Sequence, residues 1–334
     1  MFKVQYFRNY PTWIQFVIFG GIVLALTSFA MAMLIALLPR FTGLSIADIS
    51  QFDANSPQNI IVAATWLQFF LHAFTFMVPA LLFAYFTHPK PFKYLGLVKP
   101  GKTSQILLVI VMAIAAIPVF IAIQSVFEQM HFLGATGAKM QKDLDAKEAA
   151  LMNVKTLPGL VLVFVTMAIL PALGEEMLFR GILMRLIKNW KFRRVPLAAQ
   201  ALGVPYTRSN TKITTSIIIT SLMFMLMHFN VYGAFSIFLA GALLGFIYYI
   251  TGSLWCSIAF HLVTNGLQVI LSYAATDNTG LKKMVDNNTL PIPVIIISAI
   301  VFAASLYLLI KNKTPLADMW PDDFEGEAVF ENQS

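Results

Sequence analysis

Read for runs free of charge, the chain alternates long apolar stretches with short polar or basic breaks. A helix that spans a bilayer needs about 20 mostly apolar residues, and several runs meet that length. The first lies between positions 9 and 39, after Met1-Phe-Lys-Val-Gln-Tyr-Phe-Arg8. It is longer than a signal-peptide core of about 7–15 residues, so it predicts a retained helix over 12–38. The same reading predicts helices over 60–86, 104–127 and 157–173, the last continuing through Glu175-Glu176. From 213 to 276 there is no Asp, Glu, Lys or Arg, a window long enough for three helices. Asn230-Val-Tyr-Gly233 and Thr251-Gly-Ser253 interrupt it, because glycine and small polar residues end helices. Helices over 213–229, 234–250 and 254–273 follow, with a last one over 291–310. The expected fold class is all-α, a polytopic membrane protein of about eight transmembrane helices around an intramembrane active-site cavity.

Composition supports this reading. Of 334 residues, 58% are hydrophobic and 12% charged, where a soluble domain carries about 25% charged residues. The net charge of +7 would suit nucleic acid, but the basic residues sit between apolar runs, where they act as orientation signals and headgroup contacts. No nucleic-acid partner is expected; the lipid bilayer is. Placing the N-terminus in the cytoplasm puts 16 of the 23 basic residues inside, including the eight from Arg180 to Lys212. Both termini are then cytoplasmic, and a bacterial inner membrane fits. Cys256 is the one cysteine, so no intramolecular disulfide can form. No zinc-finger, P-loop or dinucleotide pattern occurs, nor an internal repeat. Four segments result: a three-helix membrane part over 1–127, an exposed amphipathic stretch of mixed charge over 128–156, a membrane core over 157–310, and an acidic disordered tail over 311–334.

An ionised side chain at mid-span costs about 2.5–3.5 kcal/mol on insertion scales, so such residues are kept only where a cavity or partner compensates. In Glu175-Glu176-x-x-x-Arg180, Glu176 and Arg180 lie four apart on one helical face and can pair. Glu175 is rotated about 100° away and left free. The plainer reading is a helix start after Pro171 with acids in its first turn. Phe224-Met-Leu-Met-His228 places a histidine in the charge-free window, where a packing histidine is the plain alternative. His261 and Asn265 share a face and offer two donors to a developing oxyanion, or else hold helices together. His72 has no patterned partner and reads as packing; His88 and His131 fall in loops. Taken together, a carboxylate, an acceptor imidazole and a His/Asn donor pair are the parts that water activation and oxyanion binding require.

Glu-Glu-x-x-x-Arg, Phe-x-x-x-His and His-x-x-x-Asn on successive apolar helices resemble the CPBP family. These are the CAAX proteases and bacteriocin-processing (Abi) proteins, intramembrane glutamate endopeptidases. Flanking Phe179-Arg180-Gly181 and Gly252-Ser253-Leu254-Trp255 add to the match. The resemblance implies that Glu175 and His228 activate a water, that His261 and Asn265 hold the oxyanion, and that Glu176 and Arg180 orient the site. It implies no metal and no cofactor, with a peptide or lipidated peptide as substrate. Three other readings stay open: a zinc site on Glu175, His228 and His261, a non-catalytic immunity or regulatory protein, and a transporter. One tension concerns depth. At 1.5 Å per residue, His228 lies about 22 Å along its helix from Lys212, and His261 only about 10 Å from Leu254. A re-entrant piece over 196–212 is one way to bring them level.

Overall fold

The computed structural model describes residues 6–53, 55–129, 134–154, 156–190, 212–230, 232–275, 278, 290–314 and 316. Among these residues there is no strand. The long helices are α1 (Thr12–Thr42), α2 (Gln58–Thr87), α3 (Thr103–Gln129), α4 (Gly134–Met152), α5 (Leu157–Lys188), α6 (Ile213–Met227), α7 (Ala234–Thr251), α8 (Leu254–Ala275) and α9 (Ile292–Lys311). Their ends follow local rules. Gly43 and Gly252 close α1 and α7 in the left-handed region, at φ 71° and 66°, where a side chain is disfavoured. The Thr156 hydroxyl accepts from the N–H of Gly159 to start α5, as an N-cap does.

Among the described residues, seven helices are long and apolar enough to cross a membrane, and the chain is an all-α, multi-pass integral membrane protein. The sequence had suggested about eight. The difference is α6, which has 15 residues and so rises about 22 Å against a hydrocarbon core of about 30 Å. The predicted helix ran to 229, but α6 ends at Met227 with His228 as its C-cap. Phe229 then takes a φ of 51°, a strained value for a bulky residue, and turns the chain back toward α7. The suggested re-entrant segment, from 196 to 211, and the acidic tail from 317 lie outside the described residues.

α8 lies at the centre, packed on α3, α5 and α7, with α9 along α3. α6 and α7 form an antiparallel pair through Gly241-Ala-Leu-Leu-Gly245. A Cβ on Gly241 would stand 3.3 Å from Ser221 Cα, and one on Gly245 3.2 Å from Ile217. Small residues four apart let helix backbones approach within a membrane. α4, rich in charge, lies across α2 and α8 and buries Ala150 and Leu151. Three π-helical stretches interrupt the spans, at Ala73–Met77 in α2 and at Val165–Ile169 and Met177–Leu183 in α5. Such wide turns concentrate at functional sites, and here the two in α5 flank Glu175 and Glu176.

Candidate active site

α5 carries its two glutamates between its two π stretches. Glu176 has no exposed surface. Its Oε1 accepts from Nη1 of Arg180 at 2.6 Å and lies 3.0 Å from Nδ1 of His261, while Oε2 accepts from the Ser257 hydroxyl at 2.6 Å. Arg180, also fully buried, gives a second bond to the Gly241 carbonyl at 2.9 Å and lays its guanidinium 4.6 Å from the Phe224 ring centre. A buried carboxylate is stable only when paired and hydrogen-bonded, and Glu176 meets both conditions. The expected pairing with Arg180 is present, within a π turn rather than a regular α-helix.

Glu175 differs. Its Oε1 lies 3.5 Å from Nε2 of His72 and its Oε2 lies 3.9 Å from Nε2 of His261. Among the described residues, Oε2 makes no hydrogen bond. His261 therefore bridges the two acids, one on each ring nitrogen. With Nδ1 donating to Glu176, its Nε2 is a lone pair in the neutral ring and a donor only in the imidazolium.

Asn265, one turn on, donates from Nδ2 to the carbonyl of Met167 at 3.3 Å, inside the first π stretch of α5. The amide nitrogen carries a second hydrogen as well. His228 sits at the end of α6 and is exposed; Nδ1 lies 2.8 Å from the Phe224 carbonyl, an acceptor, so Nδ1 donates there, and in the neutral ring Nε2 carries the lone pair. No ion pair joins His228 to Glu175 among the described residues. The Phe224 ring touches both imidazoles instead, at 4.5 Å from His228 and 6.1 Å from His261.

The register of α6, α7 and α8 bears on the depth of the two histidines. Gly241 meets Ser221 and Phe224, and the Ser257 hydroxyl reaches the Leu244 carbonyl at 3.1 Å. His228 lies one turn beyond Phe224, and helical side chains point back toward the N-terminus, which lays its ring on Phe224.

Two partners escaped the sequence. His72, read as packing, faces Glu175 from α2 and is a correction to that reading. Ser257 binds Glu176, and its spacing of four before His261 was the available sign. Among the described residues, no three His, Cys, Asp or Glu side chains are arranged to hold a metal ion.

Residues 157–267 match the family model described as type II CAAX prenyl endopeptidase, Rce1-like. No match was found among curated proteins or among solved structures. The matched span runs from the start of α5 into α8 and holds Glu175, Glu176, Arg180, His228, His261 and Asn265, but not His72. With the motifs, the buried acid pair and the membrane-spanning helices, the match makes residues 157–267 similar to the CAAX protease family at the family level.

Proposed function

We propose that the protein is an intramembrane glutamate endopeptidase that hydrolyses a peptide bond of a lipidated or membrane-associated peptide with an activated water. The observation that carries this reading is the unequal environment of the two acids. Glu176 is held by Arg180, Ser257 and His261, whereas Glu175 keeps an oxygen without a hydrogen bond. A general base must have an atom free for the proton it takes.

In this reading Oε2 of Glu175 accepts a proton from water while Nε2 of His228 accepts the other hydrogen bond and aims the oxygen at the carbonyl. Asn265 offers its second amide hydrogen to the oxyanion. His261 joins it once Nε2 carries a proton, and Oε2 of Glu175, at 3.9 Å, is a source for that proton after it has deprotonated the water. The same proton then reaches the leaving amine. Arg180 and Glu176 keep the His261 ring in place, so the scheme has no covalent intermediate and leaves Cys256 idle. The bond cleaved is the one after a prenylated cysteine if the substrate follows the matched family. The orientation proposed is the one the basic residues favour, with both termini in the cytoplasm.

The test is hydrolysis of a farnesyl-cysteine tetrapeptide by the purified protein in detergent. Glu175→Gln is expected to lower kcat about 100-fold to 10,000-fold, the range for loss of a general base. Comparative peptidomics of cells carrying the wild type or Glu175→Gln would identify the natural substrate as a species that persists only in the variant. Undiminished cleavage by the variant would overturn the assignment.

A further inference from the structure

One polar group buried against the site takes no part in that scheme. His72 places Nε2 3.5 Å from Oε1 of Glu175, with 11% and 9% of the two side chains exposed. Nε2 makes no hydrogen bond among the described residues, and the Glu175 carboxylate is the acceptor it faces. The approach is built into the backbone. A Cβ on Gly174 would meet Phe76 Cβ at 3.1 Å and Met77 N at 3.2 Å, so α5 presses against the π stretch of α2 more closely than a side chain allows. That stretch begins at Ala73, directly after His72, and the Phe76 ring stacks on the imidazole at 4.5 Å and 29°. The ring is thus wedged between Phe76 and the Glu175 carboxylate.

We infer that His72 is a positioning residue for the catalytic carboxylate: its Nε2–H donates to Oε1 of Glu175, so that Oε2 is the oxygen presented to the water. The inference rests on the endopeptidase reading. The two oxygens already face different neighbours, Oε1 toward α2 and Oε2 toward His261 on α8. A carboxylate held at one oxygen stops rotating about its last torsion, and attack needs the reacting atoms held about 3–3.5 Å apart. The contact is longer than a good charge-assisted bond of about 2.7–2.9 Å, as catalytic hydrogen bonds often are before substrate binds. His72 lies outside the matched span 157–267, so this carboxylate is steered from the N-terminal helices.

Two substitutions in the full-length protein separate positioning from packing. His72→Phe keeps an aromatic ring against Phe76 and removes the donor; His72→Gln keeps a donor near the place of Nε2. With the farnesyl-cysteine tetrapeptide, His72→Phe is expected to lower kcat about tenfold to hundredfold with KM within about twofold, and His72→Gln to restore kcat to within about threefold of wild type. An unchanged kcat in His72→Phe, a loss confined to KM, or a loss that Gln does not restore would each overturn the inference. Infrared difference spectra give a readout that needs no turnover. The carboxylate band assigned to Glu175 by its disappearance in Glu175→Gln should shift in His72→Phe and stay in place in His72→Gln. If the wild type cleaves no peptide, the endopeptidase reading fails on its own, while that shift still supports the contact and a stationary band refutes it. Should His72→Phe fail to fold, His72→Leu takes its place in both measurements.

Discussion

Three donors converge on Glu176, from Arg180, Ser257 and His261, and none of its surface is exposed. Removing one partner of a buried ion pair strands the other charge, which destabilises by about 3–5 kcal/mol. Arg180→Leu is therefore expected to lower stability by about that much, measured by denaturant or thermal unfolding in detergent. Adding Glu176→Gln to Arg180→Leu should recover most of the loss, because no anion is then left unpaired. Ser257→Ala removes one hydrogen bond to a charged group and should destabilise by about 1.5–3 kcal/mol. If Arg180→Leu proves neutral, the pair does not hold the site together. Glu175 lacks such a set of donors, and its replacement should act on turnover far more than on stability. The adjacent acids thus separate into an anchored one and one that keeps an oxygen without a hydrogen bond among the described residues.

Among the elements, the short α6 decides how the site closes. Gly241 and Gly245 let it pack on α7, and Gly241 also supplies the carbonyl that Arg180 binds. Gly241→Ala puts a Cβ 3.3 Å from Phe224 Cδ1 and Ser221 Cα. Overpacking of this kind destabilises by about 1–3 kcal/mol. It also displaces Phe224, which touches both imidazoles, so kcat should fall along with melting temperature; a fall in melting temperature alone would mean that Phe224 does not set the imidazoles. α4 offers a pH test. Its Glu148 is open to solvent, yet crowding by protein raises its pKa, as does the neighbouring Asp145 carboxylate, while His228 opposes the rise. A carboxyl with a raised folded-state pKa favours the folded arrangement at low pH. That contribution fades as pH rises from the unfolded value near 4.5 through the folded one. Spin labels at Lys142 and Asn55 should report looser packing of α4 over this interval. Glu148→Gln should flatten the response, and a flat response in the wild type would discount it.

For the whole molecule, the surplus of basic residues on one set of loops proposes an orientation. In a Cys256→Ala background, cysteines placed at Asn9 and Asn312 should react with an impermeant maleimide from one side of the membrane, and one at Asn55 from the other. Labelling of Asn9 and Asn312 from opposite sides would mean that α6 does not complete a crossing. The matched domain, from α5 into α8, is closed on its flanks by α2, which brings His72, and by α3, which packs on α8 and carries α9 along it. α2 is thereby packed directly against the acid pair.

The sequence by itself determined the spans and the pairs within a helix. Lipid offers the backbone no hydrogen-bond partner, so each long charge-free run must become a helix, and α1, α2, α3, α7, α8 and α9 appear where those runs lie. The same 3.6-residue period made the Glu176–Arg180 pair legible. It could not say which face of α2 would meet α5, and so His72 read as packing. That meeting depends on a missing Cβ at Gly174 and on a π turn after His72, and a π turn shifts the facing of everything after it without a fixed signature in composition. The end of α6 at Met227 was likewise hidden, because Phe229 takes its positive φ in a run as apolar as its neighbours. Contacts across helices, Glu175 with His72, Glu176 with Ser257 and Asn265 with Met167, were decided only by packing: periodicity fixes which residues share a face, and close approach of backbones fixes which faces meet.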